Sequence, residues 1–166
     1  MPLFGSKYDI STLRKINREI ISRVICQEVI YYIIAPGETQ TNAYGEVSSK
    51  TGKFYYPGIL LNLLRAPDPQ VTTDGDIGPD QGQSIQYRFL RDDLVDIGLV
   101  PMTGDIIMWK NEYFEVDNYI ENQFILGKDN NYPLSNETVD FGESWSIICN
   151  TYHTRPTKLN ITQERL

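Results

Sequence analysis

The stretch Thr103 to Tyr119, TGDIIMWKNEYFEVDNY, decides the fold, because two apolar runs stand on either side of a very short polar break. Gly104-Asp105 opens it, Ile106 to Trp109 form one arm, Lys110-Asn111-Glu112 supply the turn, and Tyr113, Phe114 and Val116 begin the return. Polar residues that accept tight backbone geometry, set between β-favouring runs, predict a hairpin. On the return arm Phe114 and Val116, with Asn118 in the same phase, fall on one face while Glu115 and Asp117 fall on the other. That is the two-residue period of a half-buried strand. No nucleophile, acid or metal cluster accompanies the hairpin, so it predicts a small β domain and no particular chemistry.

The flanks read as its packing partners. Upstream, Ser84 to Leu90 places Ile85, Tyr87 and Phe89 on one face and Gln86 and Arg88 on the other, a strand exposed on one side. Arg91 to Gly98 then has helical spacing over barely two turns and ends on a glycine suited to a C-cap. Downstream, Gln123 to Leu126 predicts a third arm of the meander, Gly127 to Asn131 a turn, and Tyr132 to Gly142 a loop. Glu143 to Thr154 predicts the last strand, with Trp145, Ile147, Cys149 and Thr151 on one face.

Further out, Asp9 to Ile25 predicts an amphipathic helix. Ile10, Leu13, Ile16, Ile20, Ile21 and Val24 recur at three- and four-residue spacing, with Arg14, Lys15, Arg18, Glu19 and Arg23 between them. Asp9 or Ser11 is placed to cap it, and its narrow stripe suits packing on a sheet or on a neighbouring subunit. Glu28 to Ile34 is β-branched and aromatic, which predicts a strand buried on both faces. Phe54 to Leu64 resumes strand character with Pro57 forcing a break or bulge. Ala66 to Gln83, APDPQVTTDGDIGPDQGQ, predicts a long solvated acidic loop. The chain thus divides into a helical segment (1–26), a β domain (27–153) with long loops at 35–53 and 66–83, and a C-terminal arm (154–166).

A length of 166 residues suits one domain with extensions. The formal charge of −7 argues against broad adhesion to nucleic acid. Eleven tyrosines suit strand faces that are dry on one edge and wet on the other. Cys26 and Cys149 have no partner at metal-ligand spacing and read as reduced thiols. The N-terminal MPLFGSKYD lacks the apolar core of a signal peptide, and no run approaches the roughly twenty apolar residues that span a bilayer. The expectation is therefore no export and no membrane.

Chemistry is sparse. His153 is the single histidine, and a lone histidine beside a proline-bounded tail does not build a nucleophile–base pair. Asp92-Asp93, Glu115 and Asp117 could form a carboxylate pair of the glycosidase kind, which defines a hydrolase alternative. Asp74, Asp76, Gly78 and Asp80 imitate the start of a calcium loop, but Ile85 stands where that loop requires glutamate. Neither an enzyme, a cofactor nor a metal is expected.

With these elements placed, Val100 to Asp129, VPMTGDIIMWKNEYFEVDNYIENQFILGKD, resembles the head-closure neck proteins of T-even-like contractile-tailed bacteriophages. The pieces that carry the resemblance are Pro101 to Asp105, the apolar arm, Tyr113-Phe114-Glu115-Val116, and Phe124 to Gly127. Gln27-Glu28-Val29 with Tyr31-Tyr32, Asn42 to Glu46, Phe54 to Pro57, Phe89 to Leu94 and Arg155 to Asn160 continue it over nearly the whole chain. The resemblance implies a small antiparallel β-barrel or sandwich with helices, loops and an arm at its margins. It implies a virion protein assembled in the host cytoplasm: a homo-oligomeric ring below the portal and adaptor, closing the DNA-filled head. Tail-terminator or tail proteins would lie beneath it, and double-stranded DNA would pass through without sequence-specific binding. A tail-terminator or adaptor ring is the alternative within the same class. On this reading Asp74, Asp76 and Asp80 are a candidate interface or channel loop, and Arg155, Lys158, Leu159 and Ile161 a candidate docking arm.

Overall fold

The computed structural model describes residues 7–39, 52–67, 71–75, 78–82, 84–123, 145–154 and 159–160. The chain opens as a helix, α1 (Lys7–Glu19), which widens into a π-helical segment, Ile20–Ile25. Cys26, with φ 47° and ψ 44°, ends that segment, its N–H bonding the Ile21 carbonyl five residues back at 2.9 Å. Of the two expected caps, Ser11 acts differently. The Ser11 and Thr12 hydroxyls donate to the Tyr8 carbonyl at 2.9 and 2.8 Å, so Ser11 lies inside the helix and bonds backwards along it.

The strands follow as β1 (Glu28–Tyr32), β2 (Lys53–Phe54), β3 (Ile59–Asn62), β4 (Leu64–Pro67), β5 (Val71–Gly75), β6 (Gly78–Gly82) and β7 (Ser84–Leu90). Then come the short helix α2 (Arg91–Asp96), β8 (Ile106–Trp109), β9 (Glu112–Gln123), β10 (Ser146–Thr154) and β11 (Leu159–Asn160). Seven of the strands make one antiparallel sheet in the order β3-β1-β8-β9-β10-β7-β4. The protein is mainly β, with one N-terminal helix and a short second one. The sheet is not closed, because β3 and β4, its two edges, are consecutive and do not pair.

It is nevertheless strongly rolled. β1 and β7 stand four positions apart, about 19 Å on a flat sheet, yet the Tyr31 and Phe89 ring centroids are 5.9 Å apart. The roll explains the odd topology of 59–67. Its first half pairs with β1, its second half pairs with β7, and only Leu63, fully buried, lies between them. Leu63 N–H bonds the Gln27 carbonyl at 3.0 Å. Pro57 and Gly58 break the strand just before this run. A Cβ on Gly58 would sit 2.4 Å from Ile30 Cγ2, so only glycine permits the approach.

The concave face carries the core. Val29, Tyr31, Leu61, Leu63, Ile85, Tyr87, Phe89, Ile107, Phe114, Val116, Ile147 and Cys149 meet there, and Leu94 and Leu99 close one side. The alternation in β7 and β10 places these residues as expected, whereas β1 is fully buried on one face and half-buried on the other. Gly98, at φ +68°, ends the α2 turn while Leu99 N–H returns to the Leu94 carbonyl at 2.9 Å.

Three expectations change. The central turn has two residues rather than three: Lys110 and Asn111, at φ 49° and 66°, reverse the chain and Glu112 already pairs with Trp109. Positive φ at both central positions is the geometry that matches strand twist. The return arm is a twelve-residue strand with register shifts against β10, one of them at Asp117, so Asn118 faces Asn150 out of phase with Val116. Gln123, expected at the start of a third arm, is the last described residue of β9, and the rest of that expected arm, Phe124 to Leu126, lies outside the described residues. Finally, much of 66–83 is a hairpin, β5 against β6, with Thr73 opposite Asp80 and Asp74 opposite Pro79. β-branched Val71, Thr72 and Thr73 favour extended backbone there, and Gly75 opposite Gly78 is the last pair of the ladder.

Candidate assembly surface

On an α-helix, Leu13, Ile16 and Ile20 fall within an arc of roughly 60°, with Arg14 and Arg18 about 120° farther round. The arginine edge, not the apolar arc, meets the body. Arg18 Nε lies 2.7 Å from Asp93 Oδ1 and its Nη2 2.6 Å from Asp96 Oδ2, while Arg14 Nη1 lies 3.6 Å from Asp92 Oδ1. The bond to Asp96 is the main reason the Arg18 guanidinium is held more basic than usual. Burial is the main reason Asp93 is harder to ionise than an ordinary carboxylate, with Arg18 opposing it.

The apolar arc consequently faces outward. Leu13, Ile16, Ile20 and Val24 are all exposed, Ile16 at 48% and Val24 at 77%, with Ile21 the buried apolar contact of the π-helical segment. A second set of exposed apolar side chains runs from the last turn of α2 into the segment after it, at Val95, Ile97, Val100 and Met102. Scattered exposed aliphatics are ordinary, but a helical stripe is not. Sequence periodicity located the stripe. What it could not show is which side of the helix faces the body, although the matching runs Arg14/Arg18 and Asp92/Asp93/Asp96 carried that signal.

A buried carboxylate fixes the entry to the central hairpin. Asp105, fully buried, accepts from Tyr31 O–H at 2.7 Å, Ile34 N–H at 2.9 Å and Met102 N–H at 2.8 Å. Burial, then the Asp105 charge, raises the Tyr31 phenol far above its ordinary range, so it remains a donor. Lys53 pairs with Glu115 on the outer side of β9. Asp92, Asp93 and Glu115, three of the carboxylates available to a hydrolase, are thus each engaged with a basic side chain. Cys149 is buried and its thiol is pushed up to about 12 by burial, which removes it as a nucleophile. The His153 ring packs edge-on against Phe114 at 5.7 Å. Among the described residues no group of His, Cys, Asp or Glu is arranged to hold a metal ion.

The backbone places Asp74 in β5 and Asp80 in β6 on a hairpin rather than a loop, and Asp76 is outside the described residues. Of the arm, Leu159 lies in β11, which pairs in parallel with β2 of the same chain through Leu159–Lys53 and Asn160–Phe54. This part of the arm therefore docks at home, while Arg155, Lys158 and Ile161 lie outside the described residues. No helix among the described residues is long and apolar enough to cross a membrane. No family model matches the sequence, and no curated protein matches it.

Proposed function

We propose that this chain is a structural ring subunit of a phage neck, of the head-closure kind, which works by fitting neighbouring subunits and proteins. The observation that carries the reading is the helix held by its arginine edge with Leu13, Ile16, Ile20 and Val24 turned outward. A helix in this position is a ready contact for a second molecule, and burying each half-exposed aliphatic would contribute on the order of 1 kcal/mol. The ordered resemblance along the chain supplies the neck assignment, and the mainly β fold disfavours an adaptor, which would be mainly helical. A ring needs two different patches that meet between adjacent copies, and the exposed apolar set from Val95 to Met102 supplies a second one.

The test is negative-stain microscopy and sedimentation of the purified protein, alone and with isolated portal complexes. Rings, or portal-bound density, are expected. The double variant Ile16→Glu, Ile20→Glu should keep its circular dichroism and thermal midpoint while losing assembly by tenfold or more. A wild-type chain that stays monomeric at high concentration and binds no portal complex overturns the reading.

A further inference from the structure

The inner row of the strand run 59–67 is Leu61, Leu63, Arg65: two buried aliphatics, then a cation at the end of the roll. Arg65 lies opposite Tyr87 in the β4–β7 ladder, so the two side chains share the concave face. Across the roll the Arg65 guanidinium carbon sits 3.8 Å from the Trp109 ring centroid. The Lys110 ammonium approaches the same ring at 4.6 Å. In a chain of net charge −7, two cations thus converge on one indole at the turn that joins β8 to β9.

Two buried polar groups at this mouth have no hydrogen-bond partner: Arg65 Nε and the Tyr87 hydroxyl, the latter on a fully buried residue. Leaving a buried donor unsatisfied is costly because its lost hydration is not replaced, so such groups call for an explanation. Burial holds the Tyr87 phenol protonated far above its ordinary range, against the opposing effect of Arg65. Both unpartnered groups are therefore donors, and donors beside two cations call for an anionic acceptor.

We propose that the Arg65–Tyr87–Trp109–Lys110 mouth is a carboxylate-binding site, which takes an acidic side chain of a partner protein segment. A guanidinium held over an indole, its carbon 3.8 Å from the ring centroid, presents a planar fork that matches a carboxylate. A nucleic-acid backbone is the poorer ligand, since its run of successive phosphates would extend past the two cations onto the surface of a chain of net charge −7, whereas a single carboxylate needs only the place beside Arg65 and Lys110. The assignment is independent of the neck reading and stands or falls without it.

The test follows Trp109 emission in a Trp145→Phe background. The probes are a short acetylated, amidated peptide with one internal glutamate, its glutamine counterpart, and inorganic phosphate, all at matched ionic strength. A saturable change with the glutamate peptide, at least fivefold weaker with the glutamine peptide and with phosphate, is expected. Arg65→Met should abolish it. Tyr87→Phe should weaken it several-fold while raising the thermal midpoint of the free protein, since the unpaired hydroxyl is gone. Equal responses to both peptides, a response that survives Arg65→Met, or tighter binding of phosphate than of the glutamate peptide overturns the assignment.

Discussion

Asp105 shows how much one side chain organises. Its carboxylate satisfies a phenol and two backbone donors from two distant parts of the chain, residues 31–34 and Met102, so Asp105→Ala strands all three donors at once. We expect a loss of about 3–5 kcal/mol, read from urea unfolding, and a smaller loss for Tyr31→Phe. The sequence showed Asp105 beside Gly104 at the start of an arm but gave it no such role. Its partners at Tyr31 and Ile34 are more than seventy residues away, and no local pattern reports a contact of that kind. Cys149 illustrates the opposite case, since its place on the inward face of β10 was legible from alternation alone. Its thiol, ordinarily near 9, is pushed up to about 12 in the fold. Between those values the unfolded chain releases a proton that the folded chain keeps, so stability falls as pH rises through this window. Cys149→Ala should flatten the decline in urea midpoint between pH 8 and pH 10.5. An unchanged slope would assign the alkaline loss elsewhere.

At the scale of elements, the β8–β9 hairpin was legible because its turn is local. Lys110 and Asn111 both adopt positive φ, which asparagine tolerates and a β-branched residue does not. Asn111→Val should therefore cost about 1–2 kcal/mol, whereas Asn111→Gly should be neutral or stabilising, as chemical denaturation would show. The bulged β9 was not legible, because an inserted residue such as Asp117 shifts the phase without any marker in composition. The acidic hairpin was misread for a related reason: proline, glycine and aspartate dominate its composition, and they masked a short β-branched run. The helix was legible as amphipathic but not as inverted. Exposed ion pairs such as those of Arg18 contribute little each, so the clip to α2 orients the helix more than it stabilises the fold.

For the whole molecule, the mainly β architecture with an N-terminal helix and a short second one was readable in advance, and the candidate docking stripe was readable as a pattern. Its orientation belongs to tertiary structure. The roll itself was invisible, because it depends on residues 59–67 pairing with two strands that lie thirty residues upstream and about twenty downstream. Nothing in FYYPGILLNLLRAP announces that one half serves β1 and the other β7.

The single residue at that seam also bears on the order in which the protein takes shape. The run that joins both rims is finished before the central hairpin has been synthesised, so β1, β3, β4 and β7 can assemble as a frame into which β8, β9 and β10 are later threaded. Short loops close at lower entropic cost than long ones, and β10 must reach across some sixty residues to find β7. In refolding kinetics, Leu61→Ala and Ile85→Val should slow the forward rate, whereas Ile147→Val should chiefly hasten unfolding. The reverse partition would mean that the rims meet last, and that Leu63 is the final stitch of folding.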